Sequence, residues 1–148
     1  MVAARFVEEA PPDRALRDAK RTATSPISSS SADCEYLLDQ AKVKNEGLCL
    51  NMGHMTTLRE EGWTLLARFP ERVHVLAWKN HLVGENLPQP AVSCELGEGK
   101  TPFQQYADVY RKVPCRSLHL ITFGDVPLDE KKEALRRSHG YLVKLLEG

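Results

Sequence analysis

A chain of 148 residues, 42% hydrophobic and 27% charged, carries enough apolar material for one core and sits near the usual size of a single domain. Its 20 basic and 20 acidic residues cancel, which gives no reason to expect nucleic acid or an anionic membrane surface as a charge-driven partner. No apolar run reaches the roughly 18–20 residues that span a bilayer, no apolar signal core opens the chain, and Glu8, Glu9, Asp13 and Asp18 are too many acids for a transit peptide, so the cytoplasm is the expected compartment.

Residues 1–32 hold Pro11, Pro12, Pro26 and the run Ser28 to Ser31, with few large apolar residues after Phe6. They read as a disordered leader with a short helix near Asp13 to Arg21. Regular patterning begins at Asp33, expected to cap a helix that carries Tyr36, Leu37, Leu38, Ala41 and Val43 and ends at Asn45 and Gly47. The strand Leu48 to Leu50 follows. Leu58 to Phe69 reads as a helix with Trp63, Leu65, Leu66 and Phe69 inward, stopped by Pro70. Val73 to Trp78 is the second strand. Asn80 to Lys100, with Pro88, Pro90, Gly97 and Gly99, reads as a long connection, either a functional lid or a flexible segment.

Thr101 and Pro102 predict a capped helix over Phe103 to Lys112. A turn and a third strand fill Val113 to Phe123. Asp129 is expected to cap the last helix, with Ala134, Leu135, Tyr141, Leu142, Leu145 and Leu146 on its buried face. This alternation of helices and strands over residues 33–148 predicts an α/β domain of about three parallel strands, either part of a barrel or a doubly wound sheet.

Leu48 to His54, LCLNMGH, is the most chemically suggestive stretch. Side chains at the carboxyl ends of parallel strands project into the active-site mouth. An apolar run ending in polar-x-x-His therefore offers Asn51 and His54 as a candidate ligand pair. His74 and His119 lie within strands, where alternation leaves their direction open. CELGEGKT, Cys94 to Thr101, copies the end of a phosphate-binding loop but has cysteine where its first glycine belongs, so a turn into a helix is the expected role. Cys34, Cys49, Cys94 and Cys115 fit no zinc spacing and are expected as reduced thiols. Lys131, Lys132, Arg136 and Arg137 alternate with Glu130 and Glu133 as a solvated helix face.

LCLNMGH, then VHVLAWKN, then LGEGKTPF, then a strand and SHGYLVKLL resemble, in order and spacing, the C-terminal part of xylose-isomerase-like TIM barrels. That family includes sugar isomerases, epimerases and related apurinic endonucleases. The resemblance covers about Asp33 to Gly148 and implies the last three strands of a (β/α) barrel. In the family the first of these strands ends in Asp-x-x-His, the next carries a His shortly before Lys-Asp, and the last ends in Glu.

Here His54 matches, whereas Asn51 stands for the Asp, Ala77 falls near the His, Asn80 replaces the second Asp, and Ile121 or Thr122 occupies the Glu position. An amide in place of a carboxylate removes a full charge from a hard cation's ligand set. The resemblance implies metal-assisted proton transfer on a small sugar or sugar phosphate, with Mn, Mg, Co or Zn as the ion. His54 would be the metal ligand and Asn51 and Asn80 neutral substrate contacts. Lys79 would neutralise an enediolate or phosphate, and Glu98 would act as acid or base. The alternative is a non-catalytic module that packs against a partner. Three strands cannot close a barrel, so the chain is expected to be either a truncated relative, impaired or inactive alone, or one that pairs with a second copy or another polypeptide covering its open sheet edges.

Overall fold

The computed structural model describes residues 4–8, 30–40, 46–83, 91–123 and 127–148. In chain order the elements are β1 (Ala4–Glu8), α1 (Ser31–Gln40), β2 (Glu46–Asn51), α2 (Met52–Thr57), α3 (Trp63–Arg68) and β3 (Val73–Trp78). They continue as β4 (Asn80–Val83), β5 (Ala91–Cys94), α4 (Phe103–Tyr110), β6 (Leu118–Ile121) and α5 (Leu128–Glu147). Strands β2, β3 and β6 are mutually parallel, as the alternation of elements predicts. They form one sheet of order β1-β2-β3-β6, while β4 and β5 make a separate antiparallel hairpin. Among the described residues the sheet is open, with β1 and β6 at its edges, and no barrel closes.

Several boundaries differ from the sequence-based expectation, each for a local reason. Ala4–Glu8, inside the expected leader, pair antiparallel with β2 from Ala4 opposite Leu50 to Glu8 opposite Glu46. Five residues are too few to display a period without the partner strand. The helix expected near Asp13 to Arg21 lies outside the described residues. Ser30, rather than Asp33, caps α1: its hydroxyl accepts the Asp33 N–H at 3.1 Å and donates to the Asp33 carboxylate at 2.8 Å. The helix expected over Leu58 to Phe69 forms only at Trp63–Arg68, and Met52–Thr57 make a separate short helix directly after β2.

The long loop is partly a hairpin, because Asn80–Val83 and Ala91–Cys94 pair with each other. Thr101 and Asp129 do not cap. Pro102 and Pro127 stand at the N-caps, neither with a side-chain cap bond. The Thr101 hydroxyl instead donates to the Lys79 carbonyl at 3.2 Å.

One core joins Leu48, Leu50, Leu76 and Trp78 of the sheet to all five helices, through Cys34, Met52 and Met55, Leu65 and Leu66, Phe103 and Tyr106, and Leu142. All the helices therefore feed the same side of the sheet, which excludes a doubly wound arrangement among the described residues. On the opposite side, Cys49, Val75 and Leu118 form one row across the strands and Asn51, Ala77 and Leu120 the next. Ala77 is buried on that side, none of the six joins the cluster under the helices, and Leu118 and Leu120 are 66% and 44% exposed.

Candidate site at the carboxyl ends of the parallel strands

The residues singled out in the sequence gather around the ends of β2 and β3, but most are engaged in holding the chain together. Asn51 ends β2 and is the N-cap of α2, where its Oδ1 accepts the His54 N–H at 3.1 Å. This bond places His54, half-buried, one turn into α2. Its ring stacks on that of His81, with centroids 6.1 Å apart and planes 25° apart. His81 was not singled out in the sequence. Its signal was only that it follows Asn80 at the start of β4. The close approach of α2 to this junction depends on Gly53, since a Cβ there would lie 2.6 Å from both His81 Nδ1 and the Lys79 carbonyl oxygen.

Asn80 is 1% exposed. Its amide nitrogen donates to the Glu95 carbonyl at 2.8 Å, and its Oδ1 accepts the N–H groups of His81 at 3.0 Å and Thr101 at 3.2 Å. One side chain thus joins the start of β4, the end of β5 and the segment leading into α4. Gly99 is pressed against it, and a Cβ on that glycine would lie 2.4 Å from Asn80 Oδ1. The Gly99, Lys100 and Thr101 segment that imitates a phosphate loop therefore folds around a protein amide.

Lys79 is half-buried between β3 and β4, and its carbonyl takes the Thr101 hydroxyl. Glu98 is exposed in the turn after β5, where its charge acts on Cys94 and Arg137. At the end of β6, Thr122 donates its N–H to the Trp78 carbonyl at 3.2 Å, while its buried hydroxyl has no partner among the described residues.

These residues do not fit a divalent ion. The side-chain oxygens of Asn51 and Asn80 already accept backbone N–H groups. Among the described residues no group of three or more His, Cys, Asp or Glu side chains comes together as a ligand set. The four cysteines are free thiols. Burial, then the charges of Asp33, Glu60 and Glu35, pushes Cys34 up to about 11, and burial followed by Glu98 does the same for Cys94, so neither is a thiolate at neutral pH.

His119, whose direction the sequence left open, lies on the helix side of β6. Its Nδ1 accepts the Trp78 indole N–H at 3.1 Å, which leaves the proton of the neutral ring on Nε2. The ring stacks on Trp78 and meets the Tyr110 ring edge-on at 4.9 Å, and burial holds its pKa below the usual imidazole value. It faces a groove of about 350 Å³ between β6 and α5.

No protein-family model matches the sequence, and no curated protein is significantly similar to it. No helix among the described residues is long and apolar enough to cross a membrane.

Proposed function

We propose that this chain is a non-catalytic relative of the xylose-isomerase-like barrels, an α/β module that acts by packing its open sheet against another polypeptide. The observation that carries this reading is Asn80: at the position of a family acid stands a buried amide whose oxygen and nitrogen are bonded to three backbone groups. A side chain committed in this way is scaffold rather than ligand. The one-sided cover of helices supports the barrel lineage, because a barrel wall carries helices only on its outer face.

The stacking of His54 on His81 at the strand ends favours a second reading, in which a small sugar or sugar phosphate is still bound there and undergoes proton transfer. Lys79 would then face the anionic group, with Asn51 beside it and Glu98 as acid or base. A melt of the chelated protein with and without manganese separates the two. An unchanged midpoint is expected, since only a ligand that binds the folded state raises it. A metal-dependent rise, together with sugar-phosphate isomerase or epimerase turnover that His54→Ala abolishes, would overturn the non-catalytic reading.

A further inference from the structure

Among the described residues, strand β6 is an edge without the usual protection. Natural edges are blunted by lysine, proline, bulges or cover, yet Leu118 to Ile121 carry no charged side chain and no proline, and Leu118 and Leu120 are exposed. Because Thr122 donates to Trp78, the alternation of a parallel ladder turns the N–H and C=O groups of His119 and Ile121 away from β3, toward the open side. Among the described residues no strand pairs with that row, which is left to water or to the strand of a partner.

The helix beside that edge is equally unfinished. Ala134, Ser138 and Leu142 are the buried residues of α5. Next to that face runs a second stripe, apolar but for His139, of Leu135, His139, Val143 and Leu146 at positions i, i+4, i+8 and i+11. Leu135 and Val143 are 40% and 37% exposed. His139, Val143 and Leu146 form one wall of the groove and His119 and Ile121 the other, so the stripe adjoins the helix-side residues of the edge, while Leu118 and Leu120 lie on the other side of the same strand.

We infer that this surface pairs with a second copy of the chain, β6 against β6 antiparallel and α5 against α5, making one sheet continuous through both copies. The inference rests on the interaction-module reading and names its partner. The surface asks for a strand with a helix on the same side of its free edge, and β6 with α5 supplies that combination. A two-fold axis normal to the sheet keeps all helices on one side. In either antiparallel register that keeps the leucines together, Leu120 faces Leu118 or Leu120 of the other copy. Antiparallel α5 helices crossing near His139 bring Lys132 of one copy toward Glu147 of the other, since each lies two turns from His139. Both are exposed and neither has an ion-pair partner among the described residues.

The full-length chain tests this by sedimentation equilibrium. The expected result is twice the 16.6 kDa chain mass, with Leu120→Lys and Val143→Glu each raising the dimer dissociation constant at least about tenfold. Hydrogen exchange on the unaltered chain adds a readout independent of any variant: the His119 and Ile121 amides are expected to be slow at high concentration and fast on dilution. A single-chain mass throughout the micromolar range, or a dimer indifferent to both substitutions with unprotected edge amides, overturns the self-pairing. Either result leaves the non-catalytic reading to the manganese melt, which decides it separately.

Discussion

Ser138 Oγ, wholly buried on α5, accepts the backbone N–H of Leu96 at 3.1 Å and ties the C-terminal helix to the turn that follows β5. Removing the hydroxyl leaves a buried donor unsatisfied. Ser138→Ala is expected to cost about 1–3 kcal/mol in urea unfolding at unchanged secondary structure. A loss within error of zero would show that the bond contributes nothing.

Placing an acid at residue 80, as the resemblance would have it, is expected to harm the protein rather than create a metal site. In Asn80→Asp the Glu95 carbonyl loses its donor and a charge is placed where the amide was 1% exposed. We expect a loss of about 2–4 kcal/mol at neutral pH, with no recovery on adding manganese. Recovery in a calorimetric melt would contradict the scaffold role.

Glu95 and Arg137 form a two-bond pair, Nε to Oε2 at 2.8 Å and Nη2 to Oε1 at 2.5 Å. The hydrogen bonds from Arg137 hold the Glu95 pKa below the usual carboxylate value. The unfolded chain therefore binds the proton first as pH falls, and the pair's contribution is present above about pH 4 and lost below it. Thermal midpoints of Glu95→Gln should lie below those of the parent near neutrality and converge with them in acid. A constant gap across pH would refute this.

His119 has the opposite charge type and the same pH direction. With its folded pKa lowered by burial, the unfolded imidazole takes up a proton first, so stability declines as pH falls through about 6.5 and levels off at the folded value. Protonation at Nδ1 would also break the bond from Trp78. His119→Gln should flatten the melting midpoint between about pH 7 and pH 5 relative to the parent. Parallel slopes in the two proteins would exclude His119 as the source.

The three parallel strands could be read from the sequence because each is a compact apolar run between helical patterns. The β4–β5 hairpin could not, since Asn80–Val83 becomes a strand only by pairing with Ala91–Cys94. Asn51 and His54 stood out by spacing, and they do sit together at the end of β2. Asn80 stood out only through the resemblance, and its task depends on Glu95 and Thr101 returning to it 15 and 21 residues later. Leu135 was expected in the buried face of α5 and is 40% exposed, because periodicity marks an apolar arc without saying how much of it a neighbour covers.

By itself the sequence determined the three parallel strands and the helices between them, which follow from local composition and short-range periodicity. Tertiary structure alone decided that the helices share one side of the sheet, that His54 meets His81, that Asn80 is spent on backbone groups, and that a groove lies between β6 and α5. These depend on contacts between segments distant in the chain, whose partners are set by packing the whole core and leave no local signal.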